Sequence, residues 1–382
     1  MNKHTGAALA ALLGMTASTG SFAQSSVTLY GLLDTGIEYV NHANAHGDSV
    51  VRMPGITGSL PSRWGMRGKE DLGGGLATVF VLESGFNVRG GDMGQGGRLF
   101  GRQAWVGLQG PFGTLSFGRQ YTMAFWAVQD SDLLGPDIYG GVGSFDSYIP
   151  NGRSDNTVAW KGTWQGVTAG ATWSFGRDSA GTGNSPGQGT CAGSLPGDAR
   201  ACRQWSAMLR YDAPAGFGVV ASYDQQRGGP GAAANLFDGV APLALTSSAD
   251  TDSRIQANGY AQLGPVKIGG GWLGRHVETE LPTVPDVTSN LYYLSASWLA
   301  TPALTVDGGV YRMINRVQDA RGTLVALRTT YQFSKRTSVY AQGGWLSNSA
   351  HAAYTLSQGG AGTTPGAGMS QLGLMLGLQQ RF

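Results

Sequence analysis

The sequence predicts an all-β fold, a sixteen-stranded antiparallel β-barrel that crosses a membrane, and three observations carry that prediction. Apolar residues alternate with small and polar ones in segments spread along nearly the whole chain. Tight turns and long polar loops take turns between those segments. Glycine is abundant, 63 of 382 residues, while charged residues make up only 13% where a soluble domain carries about 25%. A soluble domain gathers its apolar residues into a core built from amphipathic helices or two stacked layers. A closed barrel with lipid outside and water inside uses the alternation directly.

The first strand shows the pattern. Val27, Leu29, Leu33, Ile37 and Tyr39 share one face, and Thr28, Asp34, Gly36 and Glu38 share the other. Lipid suits the first face and a lumen the second. The last segment repeats it, with Leu372, Leu374, Leu376, Leu378 and Phe382 outward and Gln371, Gly373, Gly377, Gln379 and Arg381 inward. Short turns fall at Glu70–Gly75, Gly110–Gly113, Ala213–Gly216, Gly264–Pro265, Ala300–Ala303 and Ser334–Arg336, where Gly and Pro suit tight dihedrals. Long loops are expected at His42–Gly58, Tyr121–Arg153, Arg177–Arg203, Gln226–Asp252, Glu278–Thr288 and Asn348–Gly368. Sixteen strands fit between Val27 and Phe382; the spacing also admits fourteen or eighteen.

The chain opens like an export signal. Lys3 supplies a positive charge, Gly6–Met15 form a short apolar run, and Ser21-Phe22-Ala23 ends on the small residues of a cleavage site. That run is too short to span a bilayer as a helix, which takes roughly 20 residues. Residues 1–23 are therefore expected to be a signal peptide and 24–382 a single barrel domain. In an exported chain, Cys191 and Cys202 inside one Gly/Ser/Pro-rich loop fit a disulfide better than a metal site, which wants more ligands.

Several stretches resemble the trimeric general porins of Gram-negative bacteria, in their neisserial and β-proteobacterial branch. They are Ser26–Gly31, Ser62–Leu76, Gly101–Leu108 with Phe112–Gln120, and the closing Gly377–Phe382. The resemblance runs over the whole chain after residue 23. One departure is Gln380, where the family often has His. The resemblance implies an outer-membrane general diffusion porin, a homotrimer set in outer-membrane lipid and lipopolysaccharide. It would pass small hydrophilic solutes and ions with a weak anion preference. A substrate-selective porin is the alternative, which saturating conductance would reveal. The resemblance further implies that Phe382 is read by the barrel-assembly machinery and that the third extracellular loop, Tyr121–Arg153, folds inward. Basic wall residues would face that loop across a constriction.

Candidate wall residues are Arg63, Arg67, Arg102, Arg119 and Arg153; candidate loop acids are Asp130, Asp132, Asp137 and Asp146. Arg63 and Arg67 share a parity opposite to Trp64 and Met66, which sends both guanidinium groups to the lumen, since Arg at mid-bilayer costs about 2–4 kcal/mol. Arg102 shares parity with Ala104, Val106 and Leu108, which read as lipid-facing, so it needs a bulge or a rim position. The plainer alternative for each Arg is a solvated rim residue.

No enzyme is expected, and neither a cofactor nor a metal. The histidines after residue 23, His42, His46, His276 and His351, fall at or near loops, and the His42/His46 pair lacks a third ligand. No glycine-rich phosphate cradle opens a helix. A net charge of +2 without a basic, aromatic-rich cluster argues against nucleic acid.

Overall fold

The structure is a computed structural model, and it describes residues 26–181, 185–358 and 362–382. The expected signal peptide, residues 1–23, lies outside the described residues.

Strands β1 (Ser26–Val40), β2 (Val50–Arg52), β3 (Arg63–Gly73), β4 (Leu76–Gly85), β5 (Gln103–Gly110) and β6 (Gly113–Tyr121) come first. Helices α1 (Met123–Val128) and α2 (Gly141–Phe145) and a 3-10 turn (Ile149–Asn151) follow. Then come β7 (Arg153–Trp164), β8 (Val167–Ser174), β9 (Gln204–Ala213) and β10 (Phe217–Arg227), with two short loop strands, β11 (Ala233–Ala234) and β12 (Leu243–Ala244). The set closes with β13 (Thr251–Leu263), β14 (Val266–Glu278), β15 (Val287–Thr301), β16 (Leu304–Asn315), β17 (Ala320–Gln332), β18 (Thr337–Asn348) and β19 (Gln371–Arg381).

Successive long strands pair antiparallel, and β1 pairs with both β3 and β19, which shuts the sheet on itself. The short β2 pairs with the far end of β1, so β2 and β3 act as one interrupted strand. The barrel therefore has sixteen staves. At the seam, Gly31 and Phe382 exchange both backbone hydrogen bonds, at 3.0 and 3.1 Å. The Phe382 ring lies directly over Gly31, in the space a side chain at that position would occupy. Both ends of the barrel thus meet at the short-turn end.

Alternation sorts the faces as the sequence predicts. Val27, Leu29, Leu374, Leu376 and Leu378 are exposed on the outside, whereas Asp34, Glu38 and Gln371 are buried within. Phe112, Phe217, Phe333 and Phe382 sit exposed near the short turns, and Trp173 and Phe175 near the long loops, as aromatic girdles do at the two interfaces of a bilayer. Tight turns appear where expected, with one more at Gln165–Gly166, both at positive φ.

The connections at the other end are 41–62, 86–102, 122–152, 175–203, 228–250, 279–286 and 349–370, with a four-residue turn at 316–319. The second, 86–102, escapes the sequence reading: its Gly-rich run follows β4 without a cluster of prolines to mark the break. Cys191 and Cys202 are disulfide-bonded in the fourth loop, with Cα atoms 5.1 Å apart.

Leu294, 63% exposed midway along β15, tests the outward face. Leu294→Arg should cost about 2–4 kcal/mol of folding free energy in lipid vesicles, measured by reversible denaturant unfolding. A change below about 0.5 kcal/mol, the size of an ordinary surface substitution, would place this position away from the bilayer centre.

Candidate functional site

The third loop, 122–152, is almost wholly buried, and its contacts fall on inward-facing side chains of the wall. Met123 N donates to Ser206 Oγ at 2.8 Å. Gln256 and Asn258 donate to the carbonyls of Ala124 and Ala127, each at 3.1 Å. Further along, Leu133 N donates to Ser295 Oγ at 3.1 Å, and Ile138 N to the Gly58 carbonyl at 3.0 Å. Inward glycines leave room for this layer. A Cβ at Gly344 would stand 2.7 Å from Leu356 Cδ1, and one at Gly373 would stand 2.8 Å from Tyr139 Cζ.

All four loop acids are engaged with the wall. Asp130 meets Arg210 Nη1 at 2.7 Å and Lys267 Nζ at 2.8 Å. Asp132 accepts the Tyr311 hydroxyl at 2.6 Å. Asp137 meets Arg328 Nη1 at 2.9 Å, and Asp146 meets the fully buried Arg254 at 2.6 Å. Burial would raise Asp130, yet hydrogen bonds from Lys267 and Arg210 hold it below its ordinary value. Burial lifts Asp132 to about 6, only partly offset by Tyr311. It lifts Asp137 to about 7 against the opposing charge of Arg328. These carboxylates are anchors of the loop.

The basic candidates divide. Arg63, Arg102 and Arg153 come together. Arg102 Nε donates to Glu83 Oε1 at 2.7 Å, and Arg63 Nε lies 3.7 Å from Glu83 Oε2. Tyr30 also donates to Glu83, at 2.9 Å. The Tyr121 hydroxyl accepts from Arg102 at 2.7 Å and from Arg153 at 2.8 Å, and the Arg153 guanidinium sits 4.5 Å from the Tyr121 ring centre. Two guanidinium groups thus share the Glu83 carboxylate, and Tyr121 links Arg153 to Arg102. Arg102 precedes β5, in irregular backbone, and this frees it from the outward parity of Ala104, Val106 and Leu108. Arg67 shares the inward parity of Arg63 and is exposed nearer the short turns, 5.6 Å from the Tyr30 ring centre. Arg119 pairs across with Ala104 and binds Asp155 at 2.6 Å, in a separate network where Arg98 links Asp155 and Asp178.

A cavity of about 320 Å³ lies among the first, second, third, fourth and eighth loops. Its lining includes Arg52, Arg89 and Arg102 from one side, Ile138, Ser147 and Asn151 from the third loop, and Ser357 and Gln358 from the eighth. No carboxylate lines it among the described residues. Arg52 is braced by Glu38 at 2.6 Å and by Ser357. The eighth loop also braces the third, through Gln358 N to the Ile138 carbonyl and Ser144 Oγ to the Leu356 carbonyl, both 2.8 Å. Glu83, Arg52 and Arg89 escape the sequence reading. Glu83 had a usable signal: it stands on the face opposite Leu82 and Phe80, an acid turned away from lipid.

Comparison with known proteins agrees with the barrel fold. The family described as Gram-negative porin matches residues 7–351. An outer membrane porin protein of Bordetella pertussis is 32% identical over 359 residues, covering 85% of this chain and 90% of that protein. An anion-selective porin from Comamonas acidovorans superposes with a TM-score of 0.75 at 24% identity, over 94% of this chain and 100% of that one. OmpT of Vibrio cholerae in its trimer form gives 0.63 at 16% identity, over 94% and 99%.

Asp132 should take up its proton near pH 6, two units above an ordinary Asp at about 3.9. Infrared difference spectra across pH 4–8 should show a carboxyl band that Asp132→Asn removes. The same band titrating near pH 4 would mean that water reaches the carboxylate.

Proposed function

Because this chain belongs to the Gram-negative porin family and is an outer-membrane porin, we propose that it is a general diffusion channel with a weak preference for anions. It passes small hydrophilic solutes and ions down their gradients and needs no energy source. The observation that carries the reading is the cavity beside the third loop, lined by Arg52, Arg89 and Arg102 and by no carboxylate among the described residues. Behind it, Glu83 offsets one of the three charges of Arg63, Arg102 and Arg153. A ring of fixed positive charge in a narrow passage favours anions, and guanidinium keeps its charge at any working pH. The name of the anion-selective Comamonas acidovorans porin points the same way.

The third and eighth loops form the constriction in this reading, with Arg67 and Arg119 adding to the field of the wall. Residues 1–23 are removed on export, 24–382 form the barrel domain, and Phe382 is the residue the assembly machinery reads. Lipid and lipopolysaccharide cover the outer face.

Zero-current potentials in a KCl gradient test the selectivity. Wild type should favour Cl⁻, and Arg102→Ala and Arg89→Ala should each lower the anion/cation ratio several-fold. One unit charge 4 Å from an ion is worth about 1 kcal/mol in water. The preference should fade at 1 M salt, where screening shortens to about 3 Å. A K⁺-favouring wild type, or unchanged ratios in both variants, would overturn the assignment.

The subunits form a homotrimer through their apolar walls. An outer depression of about 790 Å³ between Leu327, Leu374 and Leu376, floored by Ala341 and Gly343, suits the side chains of a second copy. Unheated detergent samples should run at three times the mass of the boiled chain; a monomer after gentle extraction and crosslinking would refute the trimer.

A further inference from the structure

The outer face of the barrel carries an unusual polar patch at the long-loop end of β10, β13, β14 and β15. His276 and Glu278 end β14 on the outward parity, since His276 pairs across with Ser253 and Thr288. Asp286 stands at the other end of the sixth loop, one residue before β15. Ligand atoms of His276, Glu278 and Asp286 all lie within 4.8 Å of one another. Each of the first two is oriented by a threonine. His276 Nδ1 lies 2.9 Å from Thr288 Oγ1, and Thr251 Oγ1 donates to Glu278 Oε2 at 3.1 Å. On its other side, His276 Nε2 lies 2.8 Å from Glu278 Oε1, the spacing of two atoms that share a proton. A cation that displaces this proton finds the imidazole nitrogen and both carboxylates within reach of one point. A cleft of about 380 Å³ opens beside this group, lined by Tyr223, Ser253, Trp272 and Thr288, and gives room for further ligands such as water.

We propose that His276, Glu278 and Asp286 bind a divalent transition-metal cation that ties the two ends of the sixth loop together on the outer rim. Two carboxylates balance the charge of the ion. The imidazole selects zinc-like ions over magnesium and calcium, which prefer oxygen alone. Threonine hydroxyls in the outer shell hold the ring and the carboxylate in place, a part usually worth ten- to a hundred-fold in affinity. A cation here joins the end of β14 to the start of β15 and holds residues 279–286 between them.

Calorimetric titration of the full chain in detergent with Zn²⁺ tests the site. Wild type should bind one ion per chain; His276→Ala should weaken binding at least about ten-fold, and Thr288→Val about ten-fold, because it only orients the ring. His46→Ala, in the first loop, should bind as wild type. Hydrogen exchange over residues 279–286 should slow with Zn²⁺ in wild type and not in His276→Ala. These substitutions lie on an exposed rim, and heat-modified gel mobility confirms a folded barrel for each. Unchanged affinity in His276→Ala, the absence of saturable Zn²⁺ binding in wild type, or equal binding of Mg²⁺ would overturn the proposal.

Discussion

In a bilayer no water is available to satisfy backbone N–H and C=O groups, so every strand must find partners on both sides. The rest of this structure depends on that constraint. The pairing of β1 with β19 on one side and β3 on the other removes both edges of the sheet. Gly31 and Phe382 complete the seam with two hydrogen bonds. Once the backbone is closed, the period of two leaves one side-chain face for lipid and one for the interior. Polar and charged groups have only the interior and the loops to occupy.

That interior is narrow, and charges in it need partners. The third loop offers four aspartates, and the wall answers with Arg210, Lys267, Tyr311, Arg328 and Arg254. Replacing a buried ion pair by packed apolar groups is often neutral, whereas removing one partner costs about 3–5 kcal/mol. The pairs therefore fix where the loop lies more than they add net stability. The contacts are spread over β9, β13, β14, β16 and β17, so the loop cannot slide without breaking several. Glycines at 344 and 373 let Tyr139 and Leu356 lie flat against the wall. Part of the high glycine content thus serves the interior layer as well as the turns.

The anchoring of the loop acids changes the electrostatic balance of the passage. Asp130, Asp137 and Asp146 are matched by wall cations and Asp132 is held by the neutral Tyr311 hydroxyl, while Arg89 is exposed on the second loop and Arg102 holds a carboxylate that it shares with Arg63. A net positive lining follows from which charges are matched, although acids and bases nearly balance over the whole chain at 24 and 26. The eighth loop takes part as well, since Ser357 reaches Glu38 and Gln358 reaches the third loop.

Sequence alone determined the barrel, its outward and inward faces, most of its turns, and the inward aim of Arg63 and Arg67. Those features rest on a period of two and on glycine and proline dihedrals, which are local and can be read residue by residue. Four motifs in order, from Ser26–Gly31 to Gly377–Phe382, were enough to point to the family. Only the tertiary structure decided which charges are matched. Arg254 meets Asp146 and Arg328 meets Asp137 across more than a hundred residues of chain. Glu83 draws together Arg63 of β3 and Arg102 of the loop before β5, and His276 finds Asp286 only because the sixth loop doubles back. A carboxylate reads the same in sequence whether it faces water or a buried guanidinium. The closure of the sheet brings the partner near, and the low dielectric around both makes the pairing matter.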